Sequence, residues 1–224
     1  MKGGLLLIFL LASLNAKDWI GSGSLTLTFF DVKEWNTLFE RHNIRQFSTP
    51  QRFWGSGFAR FKKGLAPAIW MFHDIDWIRT DSLEIWMDYT TGFWEERYSL
   101  PITQSLIPFL SLGFGGYYWR FDFIPTSLSE VDFDSLLTGA SARRTSSILD
   151  MGISLSIGSG FCFIIPFKKY FVGLGVKGGY LFSPLHTDWR LRDGKPLRGA
   201  PELGLNSPYL SLGFVFGRRE IGKE

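Results

Sequence analysis

Residues 151–163 alternate between large apolar and small side chains. Met151, Ile153, Leu155, Ile157, Phe161 and Phe163 share one parity; Gly152, Ser154, Ser156, Gly158, Gly160 and Cys162 share the other. Side chains of a strand point alternately to its two faces, so this stretch predicts a strand with one greasy face and one small, mostly polar face. It is long for a water-soluble strand and ample for a tilted membrane crossing, which takes about 9–11 residues. The same period returns at 83–94, where Leu83, Ile85, Met87, Tyr89, Thr91 and Phe93 oppose Glu84, Trp86, Asp88, Thr90, Gly92 and Trp94. It returns again at 170–182, 209–216 and 106–114, and Leu25, Leu27 and Phe29 alternate with Thr26, Thr28 and Phe30. Two further stretches, near 52–62 and 65–75, are less regular.

Eight strands are predicted, at about 22–31, 52–62, 65–75, 82–95, 105–121, 148–164, 169–183 and 208–217. The even-numbered connections are tight or fairly tight: Lys63-Gly64, 96–104 and 165–168. The odd-numbered ones are 32–51, 76–81, 122–147 and 184–207, three of them long. Short and long connections therefore gather at opposite ends, as in outer-membrane barrels with short periplasmic turns and longer outer loops. The expected fold is all-β: a closed antiparallel transmembrane barrel of one domain over residues 17–224. Gly115-Gly116 marks an expected bulge in the fifth strand. Within the first long connection, residues 31–45 predict a short helix. Asp31 is its expected cap, Glu34 stands three residues on, and Val32, Trp35, Leu38 and Phe39 form one apolar face. That helix is expected to lie at the membrane interface or to plug one end of the barrel; packing on a soluble sheet stays open.

Alternation alone does not say which face points inward, since a soluble ligand-carrying barrel also has one apolar face. Three features favour lipid outside. The second face is rich in Gly and Ser, which gain nothing from exposure to water on a strand but relieve crowding in a narrow interior. Aromatic residues gather near the strand ends, at Trp54, Trp70, Phe93, Trp94, Tyr117, Tyr118, Trp119, Tyr170, Tyr180 and Tyr209, as interfacial girdles do. The amino terminus also reads as an export signal. Residues 1–16 run from Met-Lys through an aliphatic stretch to Ala-Ser-Leu-Asn-Ala, too short to span a bilayer, with cleavage expected after Ala16. The expected location is the cell outer membrane, after passage through the inner membrane.

Composition narrows the function classes. Of 224 residues, 17% are aromatic and 25 are Gly, while a 45% hydrophobic content excludes wholesale disorder. Net charge is +3, and the basic pairs Arg143-Arg144 and Arg218-Arg219 are isolated, so no nucleic-acid surface is expected. A single cysteine, Cys162, excludes an intrachain disulfide framework, and three His exclude a histidine-rich metal centre. Cys162 itself reads as a small interior packing residue.

The segment Gly178-Gly179-Tyr180-Leu181-Phe182-Ser183-Pro184, with Trp189 and the stretch from Gly204 to Gly217 after it, resembles the closing strands of small bacterial outer-membrane β-barrel proteins. Phe53-Trp54-Gly55-Ser56-Gly57-Phe58 and Leu112-Gly113-Phe114-Gly115-Gly116 are similar pieces. The resemblance covers most of the chain as patterning. It implies insertion by the barrel-assembly machinery, outer-membrane lipids as surroundings, and an extracellular or envelope ligand met through the long loops. Such proteins commonly end on an aromatic residue, whereas here Phe216 is followed by Gly-Arg-Arg-Glu-Ile-Gly-Lys-Glu.

No catalytic, cofactor or metal constellation stands out. Gly158-Ser159-Gly160 and Gly173-Leu174-Gly175 lie within strands, whereas a nucleotide fingerprint opens a helix. Gly55-Ser56-Gly57 and Gly21-Ser22-Gly23 lack the strand-to-helix setting of a nucleophile elbow. His42, His73 and His186 are far apart in sequence, and His73 with Asp74 and Asp76 reads as ordinary loop polarity rather than a metal site. The expected role is structural, adhesive or envelope-stabilising. A narrow channel or carrier for small or hydrophobic solutes is one alternative. A lipid-modifying enzyme, with His73 or His186 near a loop serine, is another. Inside the barrel a polar network is expected from Arg60, Glu84, Asp88 and Lys177, with at least one carboxylate–base pair. Residues 122–147 and 184–207 are expected at the cell surface, and Leu155 and Leu212 against lipid.

Overall fold

A computed structural model describes residues 19–60, 63–81, 83–125, 146–167, 169–197, 200, 201, 203 and 206–218. The expected signal segment 1–16 and most of connection 122–147 lie outside the described residues. The chain runs β1 (Trp19–Thr28), α1 (Lys33–Arg41), β2 (Gln51–Arg60), β3 (Gly64–Arg79), β4 (Leu83–Ser99), β5 (Leu106–Pro125), β6 (Ser146–Phe167), β7 (Tyr170–His186), β8 (Arg190–Leu191) and β9 (Ser207–Arg218). Each long strand pairs antiparallel with the next, β9 returns to β1, and β5 pairs with β6, so the eight long strands close into a ring. The two-residue β8 sits outside that ring, on β6. Closure removes the unpaired edges that an open sheet would expose.

The predicted strands are all present, and several run further. β3 continues to Arg79 and β4 starts at Leu83, and Thr80 and Leu83 exchange backbone and side-chain hydrogen bonds. β4 also runs to Ser99, four residues past its predicted end. Strand length varies around the barrel, from 10 residues in β1 and β2 to 22 in β6. Ten residues suffice for a tilted crossing. The excess on β3 to β6 raises one wall at the end where α1 lies, called the mouth below; the end holding Trp19, the first residue of β1, and Arg218, the last of β9, is the base. The bulge expected at Gly115-Gly116 is not there, since β5 keeps its register with both neighbours. The register shift falls instead on the β6–β7 pair, between Ile153 and Leu155.

Helix α1 is shorter than predicted and begins after Val32. Asp31 still contributes, accepting a hydrogen bond from the Lys33 backbone N–H at 3.1 Å. The helix plugs the mouth. Its buried Trp35 stacks on Phe121 of β5 at 4.8 Å between centroids and meets Trp189 edge-on at 5.3 Å. Asn36 clamps the chain that returns to β2, donating to the Phe47 carbonyl and accepting from its N–H at 2.7 Å. Beneath the helix, Phe30, Phe53, Tyr89, Trp119 and Phe121 fill the barrel as one aromatic cluster. A second, smaller cluster of Ile20, Ile107, Phe109, Cys162, Ile164, Phe171 and Val215 closes the base. Cys162 is thus a packing residue, as expected. Among the described residues no helix is long and apolar enough to cross a membrane.

Candidate functional site

Between these two clusters the interior turns polar. Glu95 and Arg97 enter from β4, Ser111 from β5, Ser156 from β6, Lys177 from β7, Ser211 from β9 and Ser22 and Ser24 from β1, all buried. Small residues make this waist. A methyl group at Gly113 would lie 3.0 Å from the Glu95 side chain, and one at Gly158 3.2 Å from that of Lys177. Lys177 Nζ donates a short hydrogen bond to Glu95 Oε1, which also accepts from Ser156 Oγ at 3.2 Å. Burial of the pair is nearly complete, with 1% and 4% of the two side chains exposed. Nearby, the Arg97 guanidinium lies 4.0 Å from the Phe109 ring centroid and 5.3 Å from that of Trp70. Lys177 Nζ is 5.1 Å from the same Trp70 ring, so one indole serves both cations. A cavity of ≈ 20 Å³ adjoins, lined among others by Ile20, Trp70, Phe109, Cys162 and Lys177.

Of the four side chains expected in an interior network, only Lys177 lies there. Glu84, Asp88 and Arg60 stand on the outer wall, and none of them meets Lys177. Glu84 accepts from the indole N–H of its outward neighbour Trp86 at 2.6 Å. Asp88 lies 3.6 Å from His73, whose ring nitrogen pairs with Thr90 at 2.8 Å. The reason is local. On β4 the apolar parity (Ile85, Met87, Tyr89, Phe93) turns inward to pack the mouth, which sends the charged parity outward. β2 sends Arg60 outward for a different reason. Gly55 and Gly57 must face in, because a methyl at either would come within 2.9 Å of Phe72 or 2.7 Å of Trp70. Trp54, Phe58 and Arg60 therefore face out, and Phe58 stacks on Trp19 at 4.4 Å. Half of the aromatics expected in girdles prove to be interior fill: Trp70, Phe93, Tyr117, Trp119 and Tyr209 are buried.

The interior carboxylate and guanidinium, Glu95 and Arg97, were not among the expected residues. Their signal was present, since both continue the Leu83-to-Phe93 parity of β4. It becomes readable once that parity is assigned inward and the strand is carried past residue 95.

The outer wall is the second feature of the site. Phe214, Leu112, Trp54, Leu65 and Leu110 are each more than 60% exposed, and Leu155 and Leu212 point the same way. The apolar surface runs across β3 to β7 and on through β9 and β1. Toward the mouth it gives way first to Asp88 and Arg120, then to Trp77 and Trp86 level with Asp122, the 2.7 Å ion-pair partner of Arg120, and last to Glu84. Such an apolar band, bounded toward the mouth by charged residues and tryptophans together, has the organisation of a lipid-facing wall. His73, Asp74 and Asp76 do not form a metal site; among the described residues no group of three His, Cys, Asp or Glu could hold one.

No protein-family model matches the sequence, and no curated protein matches it. Several solved structures are similar to it. The attachment invasion locus protein Ail of Yersinia pestis shares 10% identity, with 90% of this chain and 99% of that one covered and a TM-score of 0.44. Neisserial surface protein A shares 8%, with 90% and 97% covered and a TM-score of 0.44. The N-terminal β-barrel domain of Pseudomonas aeruginosa OprF shares 10%, with 89% and 97% covered and a TM-score of 0.41. The barrel itself is established by the ring of strand pairings.

Proposed function

We propose that this protein is an integral outer-membrane β-barrel that works as a closed wall element, with a structural, adhesive or envelope-stabilising role carried by its mouth. The observation that carries the reading is the apolar outer wall. Leaving a Leu or Phe in water rather than burying it forgoes about 1.5–3 kcal/mol, and the wall presents such residues on strand after strand. Lipid removes that cost. A soluble carrier would show the reverse arrangement, apolar inside around a ligand and polar outside.

The interior supports a closed barrel over a channel. The aromatic cluster under α1, the ion-paired waist and the apolar cluster at the base occupy the axis in succession. An eight-stranded barrel has just enough room for its own side chains. That leaves the mouth, with α1 and the β7–β9 connection, as the surface for outside contacts. In that connection Trp189 donates to the Pro201 carbonyl at 2.8 Å.

The test is cell fractionation with heat-modifiable gel mobility, followed by antibody access to tags near Ser141 and Asp193 on intact cells. Outer-membrane recovery, a heat-dependent mobility shift and surface labelling are expected. Recovery in the soluble periplasm, or labelling only after permeabilisation, contradicts the reading. Stable unit conductance of the folded protein in planar bilayers would replace the closed wall with a channel.

A further inference from the structure

The waist holds more positive charge and more hydrogen-bond donors than its own residues satisfy. Glu95 supplies one negative charge against the ammonium of Lys177 and the guanidinium of Arg97. Among the described residues the other buried carboxylate, Asp150, is about 20 Å along β6 from Ser156 at 3.3 Å per residue, engaged with Tyr117 and Thr187 at the mouth. Arg97 is 4% exposed, yet its Nε and Nη2 atoms meet no acceptor among the described residues. These two atoms form one edge of the guanidinium, a fork of parallel N–H donors suited to binding one anion. Ser111 lies directly opposite Arg97 in the β4–β5 register, and its buried hydroxyl is also without a partner among the described residues. The indole N–H of Trp70 is in the same condition. Glu95 Oε2 and the hydroxyls of Ser24 and Tyr209 are also without partners among the described residues, and of these an anion would avoid the carboxylate oxygen. Buried donors on a charged group are costly to leave unmet.

We propose that the waist binds a small monovalent anion, a halide, on the Nε–Nη2 edge of Arg97 with the Ser111 hydroxyl as a third donor. Phe109 and Trp70 wall the site, and Lys177 adds the second positive charge. The adjoining cavity of ≈ 20 Å³, lined by Trp70, Phe109 and Lys177 though not by Arg97 or Ser111, has room for about one water-sized body, the scale of a monatomic ion. The site binds the ion within the folded barrel, so it couples halide concentration to stability by mass action.

The full chain, folded into detergent in sodium bromide, is crystallised and its anomalous scattering recorded at the bromine edge. One bromide peak in contact with Arg97 Nε and Nη2 is expected. A barrel with no peak there, or with the Arg97 fork turned onto Glu95, overturns the proposal. In parallel, the unfolding midpoint is followed as chloride is exchanged for gluconate at constant ionic strength. It is expected to fall in the native chain and to stay flat in Arg97→Met. Equal halide dependence in the two chains also overturns it. Should Arg97→Met fail to fold, the bromide map alone decides.

Discussion

At the mouth, Tyr89 and Trp119 lie 4.4 Å apart between ring centroids, and Phe121 is wedged between Trp35 and Trp189. A few residues further along the same inner face of β4 stand Glu95 and Arg97. One strand face thus passes from an aromatic core to buried charge without changing parity. The mouth is held by contact area and by many interchangeable ring contacts. The waist is held by partners that must each be present. Truncation in the mouth loses packing in proportion to what is removed, whereas removal of one waist partner strands the other in a water-poor interior.

The sharpest way to break this comparison is to treat the two regions alike. Lys177→Met leaves Glu95 buried without its ammonium and should cost about 3–5 kcal/mol in urea unfolding from lipid vesicles. Adding Glu95→Gln should return most of that loss. Phe121→Ala should cost a similar amount, about 3–5 kcal/mol, but no second substitution among its ring neighbours should restore it. Rescue in the mouth, or its failure in the waist, would erase the distinction. The outer wall gives the next effect. Leu155→Arg should cost about 2–4 kcal/mol in lipid, while Leu155→Phe should be tolerated. Thr26→Val, which removes the 3.0 Å hydrogen bond from Thr26 to Ser211, should cost only about 0.5–1.5 kcal/mol. Its cost bounds what a neutral hydrogen bond contributes near the waist, against which the ion pair can be scaled.

The same contrast explains what was legible in the sequence. On β1, β6, β7 and β9 the inner face is Thr, Ser and Gly opposite Leu, Ile and Phe, so size and polarity both name the inside. Lys177 lies inside because it continues the glycine parity of β7. On β4 the mouth reverses the signal, while on β2 the glycine parity still faces in and Arg60 stands outward at the base. Phe53, Tyr89 and Phe93 are apolar because they fill a core, while Glu84, Asp88 and Arg60 are charged because their part of the outer wall lies at its polar ends. Hydrophobicity alone cannot separate an apolar residue facing lipid from one facing an aromatic plug. The helix that creates the plug was readable from Trp35 and Phe39, but its consequence for the strand faces beneath it arises only in three dimensions. Glu95 and Arg97 followed from that face assignment and were lost with it.

The central claim is that the apolar wall lies in lipid while the waist is sealed. Single nitroxide labels answer this most directly, placed in a Cys162→Ser background at Leu112, Leu155 and Phe214 on the wall, at Ser154 inside, and at Asp122 near the mouth. In reconstituted vesicles, relaxation by dissolved oxygen is compared with relaxation by a water-soluble nickel chelate. Strong oxygen and weak nickel effects are expected at the three wall positions, weak effects of both at Ser154, and a strong nickel effect at Asp122. Nickel access at Leu155 equal to that at Asp122 would contradict that claim.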